Sequence, residues 1–263
     1  MNVDTIINGE ASKVMQGFPD ACIDLTVTSP PYDNLRTYNG YEFDFEAIAN
    51  ELYRVTKDGG VVVWVVGDAT IKGSETGTSF RQALYFKDIG FNLYDTMIYK
   101  KSGENNPNTI RYYQVFEYMF VLSKGKPIVV NLLRDRENKT SGLYRKRPRS
   151  NGKKKEYRTS KYGIRYNIWK YARGFNSSTQ DRIAYQHPAI FPDQLAQDHI
   201  YSWSNEDDLV LDPMCGSGTT LKAAVKLKRR YIGIDISEEY CEIARQRIAE
   251  ELAQPELDIA AGG

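Results

Sequence analysis

Two short stretches of this 263-residue sequence combine residue types and spacings that suit chemistry. In the C-terminal one, Leu211-Asp212-Pro213-Met214-Cys215-Gly216-Ser217-Gly218-Thr219-Thr220, an apolar run breaks into a glycine turn and then into a helical pattern. Gly216 and Gly218 let the backbone approach a ligand closely. Asp235 follows Gly216 by 19 residues, at the tip of the next apolar run, where an acid holds a ribose hydroxyl in nucleotide-binding folds. The turn has neither the third glycine of a dinucleotide fingerprint nor the lysine of a P-loop, so it suits a ligand without a phosphate chain. S-adenosylmethionine, an adenosine joined to an amino acid through a sulfonium, is such a ligand.

The N-terminal stretch, Thr28-Ser29-Pro30-Pro31-Tyr32, ends another apolar run. Adjacent prolines fix φ and restrict the residue before each, which makes a rigid turn of carbonyls with a hydroxyl ahead of it and an aromatic ring behind it. An exocyclic amine on a nucleobase is a poor nucleophile because its lone pair is delocalised into the ring. Acceptors for both of its hydrogens, Ser29 Oγ and the Pro30 carbonyl, favour the pyramidal nitrogen needed to attack a methyl group. Tyr32 is placed to stack on a base swung out of its duplex, which offsets part of the few kcal/mol that extrusion costs. Such a reaction needs no thiol nucleophile, and Cys215 and Cys241 are given no catalytic role.

The elements that position these stretches alternate in period. Residues 23–28, 61–66, 91–100 and 116–125 read as strands; the pattern Phe45, Ile48, Leu52 and Val55 reads as a helix that stops at Gly59-Gly60, and residues 79–89 as another. The unbroken run 61–66 suits a strand buried on both faces of a parallel sheet. Two C-terminal strands, near 209–211 and 231–234, cannot cover themselves, so their partners are expected from the N-terminal half. The expected fold is α/β: one doubly wound, mostly parallel sheet assembled from both ends of the chain.

Charge divides the chain as well. Residues 126–186 hold 17 Lys and Arg against 4 Asp and Glu, a net of +13, while the remainder holds 18 against 30, a net of −12. Arg145, Lys146, Arg147, Arg149, Lys153, Lys154, Lys155 and Arg158 sit in the positive segment among tyrosines, a composition suited to phosphates and stacked bases. The expected organisation is a catalytic half at 1–125, a DNA-binding region at 126–186 that projects as a subdomain, and a cofactor-binding half at 187–263. A mean hydropathy of −0.53 and a longest apolar run of six residues exclude a membrane-spanning helix, and the first ten residues do not read as a secretion signal, so the cytoplasm is the expected location. Three cysteines without a CxxC pair and two histidines, His187 and His199, argue against disulfide scaffolds and zinc chemistry. Trp64 reads as core, His199 as a packing residue, and Asp68 as either a crevice residue or a cap.

Taken together these motifs resemble the DNA amino-methyltransferase family in its beta-class, circularly permuted order: catalytic motif, target-recognition region, cofactor motif. TSPPY resembles the catalytic motif. The resemblance implies S-adenosylmethionine as cofactor, held by Glu10, Thr28, His187, Pro188, Phe191, Asp212, Met214, Gly216, Ser217, Gly218, Thr219, Asp235 and Ile236, with Ser29, Pro30, Pro31 and Tyr32 catalytic. Met214 stands where the family usually has Phe. A serine before the prolines is most typical of members that make N4-methylcytosine, and an aspartate of those that make N6-methyladenine, so cytosine is favoured with adenine as the alternative. Double-stranded DNA is the implied partner, and a homodimer and a cognate restriction endonuclease are compatible with the resemblance. Methylation of RNA, or a non-catalytic nucleic-acid-binding module, are the remaining readings; the module leaves Ser-Pro-Pro-Tyr without a purpose.

Overall fold

β-branched runs such as 61–66 have no polar face to give to water and must be covered from both sides. The computed structural model describes residues 1–31, 43–102, 110–148, 154–172, 178–179, 181–186 and 192–253. The N-terminal half supplies β1 (Thr5–Asn8), α1 (Ala11–Gln16), β2 (Ile23–Thr28), α2 (Phe45–Val55), β3 (Thr56–Val66), a small hairpin of β4 (Thr70–Ile71) and β5 (Ser74–Glu75), α3 (Thr78–Asp88), β6 (Asn92–Lys101) and β7 (Phe116–Ser123). Then come β8 (Arg136–Glu137), β9 (Tyr144–Pro148), β10 (Lys154–Arg158), β11 (Tyr162–Gly163), β12 (Ile168–Tyr171), α4 (Asp193–Trp203), β13 (Leu209–Asp212), α5 (Thr219–Lys226), β14 (Arg230–Asp235) and α6 (Glu238–Leu252).

Eight strands form one sheet in the order β1-β14-β13-β2-β3-β7-β6-β12. Its pairs are parallel except those on either side of β7. Alternate side chains sort the core into two layers. Val62, Trp64, Val66 and Phe120 face α1, α2 and α3. Val61, Val63, Val65 and Val121 face α4, α5 and α6. Trp64 is fully buried and donates Nε1 to Gln82 on α3 at 2.9 Å.

The two halves meet where β13 lies beside β2, with Val210 opposite Leu25 and Leu211 opposite Thr26. From β2 the chain leaves toward β3 over one face, and from β13 toward β14 over the other. This reversal is the topological switch point of a doubly wound sheet, where the carboxyl ends of neighbouring strands open a crevice for ligands. TSPPY begins at the end of β2, and the glycine turn at the end of β13.

Two local expectations are corrected. The helix stops at Val55, not at Gly59-Gly60: Thr56 takes extended φ/ψ and its Oγ1 donates to the Leu52 carbonyl at 2.6 Å, so the glycines fall inside β3. Gly60 is needed there because a Cβ would lie 2.9 Å from the Asp24 carbonyl oxygen, at the irregularity in the β2–β3 register. Nor does all of 126–186 lie off the sheet. β12 returns to it as an edge strand parallel to β6, its Trp169 and Tyr171 buried in the core.

The strands between β7 and β12 do not join that sheet and pair among themselves as a two-stranded antiparallel arm. β8 pairs with β11 and, further out, β9 with β10, with the intervening turns joined by backbone hydrogen bonds between Gly142 and Thr159 and between Thr159 and Leu143. Arg165 fastens its base. The guanidinium donates to Asp135, to Asp198 on α4 at 2.5 Å and to the Tyr171 hydroxyl at 3.2 Å, and lies over the Trp169 ring. The hydrogen bond from Arg165 keeps the Asp135 carboxyl below its usual range. Among the described residues no helix is long and apolar enough to cross a membrane.

Arg165→Ala should loosen the arm and leave the sheet intact. Trypsin should then cut between residues 134 and 165 about several-fold faster than in wild type, since cleavage follows local opening. Equal cleavage rates would refute this anchoring role.

Candidate active site

The crevice is built from strand ends. At the tip of β2, Thr28 Oγ1 donates to Asp212 Oδ1 at the tip of β13, 2.7 Å away and sealed from water. At the second residue of α5, Thr220 Oγ1 donates to the Val27 carbonyl at 3.2 Å. These bonds hold the start of TSPPY against the glycine turn. Asp212 is only 5% exposed and also receives the Met214 N–H at 3.2 Å. Burial pushes its carboxyl up to about 6, and the Thr28 hydroxyl opposes that rise. Ser29, Pro30 and Pro31 follow directly, Pro30 buried and its neighbours half-buried. Tyr32 lies outside the described residues, as do His187, Pro188 and Phe191.

The glycine turn is held from several sides. Gly216 N–H donates to Asp235 Oδ2 at 2.8 Å, and Ser237 N–H to Asp235 Oδ1 at 2.9 Å, so one carboxylate fixes the turn and the entry to α6. Gly218, with φ of 78°, donates its N–H to the Cys215 carbonyl at 2.7 Å; a Cβ there would stand 2.6 Å from Ala244 Cβ. The turn therefore packs directly on α6 and leads at once into α5 at Thr219. Met214 is half-buried at its front.

On the far side of Asp235, β1 completes the rim. Asn8 pairs in register with Asp235, and its Nδ2 donates to the Asp235 carbonyl at 3.2 Å and the Ile236 carbonyl at 3.0 Å. Glu10, two residues on, accepts from Ser12 and pairs with Lys13 at 2.5 Å; these bonds hold its carboxyl below the usual range. The described residues expected at one ligand, from Glu10 to Ile236, thus cluster on the adjacent ends of β1, β14, β13 and β2.

Sequence reasoning missed the support behind the turn. Arg247 on α6 is fully buried and donates Nη1 to the Ser217 carbonyl at 2.6 Å and to Thr219 Oγ1 at 3.1 Å. Lys222 on α5 pairs with Asp181 at 2.6 Å and Glu251 at 3.4 Å. These two cations are committed to carboxylates and to the turn itself, an arrangement that fits a ligand with no phosphate chain to neutralise. The signal for Arg247 was its place beside the apolar positions Cys241, Ala244 and Ile248 of a helix, but an arginine there reads equally well as a flank.

Other candidates resolve simply. Asp68 caps α3, accepting from Ser79 N–H at 2.9 Å and Ser79 Oγ at 2.5 Å. His199 is buried in α4 with its ring 4.6 Å from that of Trp169, and burial lowers its pKa to about 3. Burial pushes the Cys215 thiol up and Cys241 up to about 11, which suppresses any thiolate. On the arm, Arg145 and Arg158 are exposed, and Lys146 makes an exposed pair with Glu156 at 2.8 Å. Arg147, Lys154 and Lys155 fall on β9 and β10; Arg149 and Lys153 lie outside the described residues.

Residues 23–246 match the family described as DNA methylase. Over 240 residues the chain is 60% identical to the orphan methyltransferase M.BamHII of Bacillus amyloliquefaciens, covering 87% of this chain and 89% of that one. Among solved structures, PvuII DNA methyltransferase (cytosine-N4-specific) aligns with a TM-score of 0.70 at 20% identity, over 94% of this chain and 90% of that one. The M1.HpyAVI–SAM complex aligns with a TM-score of 0.63 at 20% identity, over 92% and 98%. At such identities the two structures speak for the fold.

The raised Asp212 carboxyl has a consequence for stability. As pH falls, the folded protein binds this proton before the unfolded chain does, so the group's stabilising contribution is complete below about pH 4 and is lost as pH rises through about 6. Relative to Asp212→Asn, wild-type stability should decline by on the order of 3 kcal/mol between about pH 4 and about pH 7. Urea midpoints at both pH values measure this; a constant difference would rule it out.

Proposed function

The chain belongs to the N6/N4 DNA methylase family, and from that premise we propose that it transfers a methyl group from S-adenosylmethionine to the exocyclic N4 of a cytosine swung out of duplex DNA. What carries the reading is the buried Thr28–Asp212 bond, which sets Ser29 and Pro30 beside the glycine turn across the switch point. When bound, S-adenosylmethionine would supply an electrophilic methyl carbon, the bonding pair staying on sulfur, and the methylated nitrogen would release one of its two hydrogens as a proton to solvent.

The residues divide the work. Asp235 holds the ribose, Gly216, Ser217, Gly218 and Thr219 line the turn, and Met214, Glu10 and Ile236 border it, with His187, Pro188 and Phe191 assigned to the same ligand by resemblance. Ser29 Oγ and the Pro30 carbonyl accept the amine hydrogens and keep the nitrogen lone pair out of conjugation. Pro31 stiffens that turn, and Tyr32 stacks on the extruded base. The neutral Ser29 in place of an aspartate supports cytosine over adenine. The arm suits duplex DNA because a two-stranded ribbon fits the major groove, and Arg145, Lys146, Arg147, Lys154, Lys155 and Arg158 fall on its strands for phosphate contacts, with Arg149 and Lys153 assigned to the same role from the sequence. A homodimer and a cognate restriction endonuclease are compatible with this reading.

Incubation with methyl-labelled cofactor and duplex DNA, followed by mass spectrometry of the nucleosides, tests both levels. The expected product is N4-methylcytosine, with Ser29→Ala lowering kcat by about 100-fold, the scale seen when one preorganised polar contact is lost, and Pro30→Ala, which keeps the carbonyl and only frees its turn, lowering kcat less. N6-methyladenine as the sole product would overturn the choice of base, and no labelled base at all would overturn the function.

A further inference from the structure

We infer that Arg247 is a positioning residue for the cofactor turn, an assignment that rests on the proposed use of S-adenosylmethionine. Its guanidinium is 0% exposed, and a charge taken wholly out of water persists only when its donors are matched. The matches lie on two sides. Toward the turn, Nη1 donates to the Ser217 carbonyl at 2.6 Å, Ser217 Oγ at 3.2 Å and Thr219 Oγ1 at 3.1 Å. Away from it, Nε donates to Asp181 Oδ2 at 3.0 Å and Nη2 reaches Asp193 Oδ1 at 3.5 Å. Asp181 is steadied in turn by Lys222.

This geometry decides how the turn presents its backbone. A peptide is planar, so fixing its carbonyl fixes the direction of its N–H. The peptide joining Ser217 to Gly218 is gripped at both ends, its oxygen by Arg247 and its N–H by the Cys215 carbonyl. With Gly216 N–H tied to Asp235, the turn is set before any ligand arrives, and a preset site binds without the cost of ordering. A packing role alone would need the volume and charge of Arg247 but not its fork. Only a planar guanidinium can hold the Ser217 carbonyl and the Asp181 carboxylate at once; a lysine is a point charge on a flexible stem.

Calorimetry of the full chain without DNA, using S-adenosylmethionine and S-adenosylhomocysteine as probes, tests the assignment. Arg247→Lys should weaken both by at least about 10-fold, the equivalent of one charge-assisted hydrogen bond, while affinity for a DNA duplex stays within about 2-fold of wild type. In turnover the KM for S-adenosylmethionine should rise with kcat at saturation preserved. A folded Arg247→Lys protein that binds both probes as wild type does would overturn the inference. If that variant fails to fold by near-ultraviolet circular dichroism, Asp181→Asn decides: reduced affinity supports the role and unchanged affinity refutes it. Wild type that binds neither probe refutes the proposed function together with this assignment, whereas wild-type binding with indifferent variants refutes the assignment alone.

Discussion

The rest of the structure depends on the contact of β2 with β13. These neighbours are parallel, come from opposite halves of the chain, and are joined at their tips by a hydrogen bond between residues 184 positions apart. Adjacent strands lie only about 5 Å apart, so any group at the end of one is within reach of groups at the end of the other. That constraint brings the Ser29-Pro30-Pro31 turn to the glycine turn. It also explains why Asp212 is buried: the carboxyl sits in the seam and takes the Thr28 hydroxyl, with the raised pKa as the cost of closing the seam to water.

Charge is distributed to suit such a crevice. Carboxylates occupy its rim, with Asp212 and Asp235 bound to backbone N–H groups of the turn that they shape. Cations stand behind the turn, where Lys222 and Arg247 neutralise Asp181, Glu251 and Asp193. The excess positive charge of the chain falls in the segment 126–186, which includes an arm whose base is fixed to α4 through Arg165 and Asp198.

Local patterns were legible in the sequence where one residue type answers to one physical demand. Prolines stop β2, glycines allow the tight turn after β13, and an uninterrupted valine run can only be an interior strand, so most of the sheet and the ends of its strands could be read directly. Gly59 and Gly60 misled because glycine serves a helix stop and a crowded strand equally; the choice was made by Thr56 closing the helix early and by the Asp24 carbonyl pressing on Gly60. β1 and β12 are four residues each, too short to show a period, and exist because β14 and β6 offered open edges.

What the sequence alone determined is the set of motifs available for chemistry: a proline turn behind a serine, a glycine turn with its spaced acid, and a polycation, each legible in the chain without the fold. Tertiary structure decided which of these meet and what holds them in place. Asp68 was free by sequence to face a ligand or cap a helix, and only the arrival of Ser79 beside it chose the cap. Arg247 carried no local mark, since its partners Ser217, Asp181 and Asp193 lie 30, 66 and 54 residues away. Such a buried cation is specified by the carboxylates that close around it, and those are assembled by the fold.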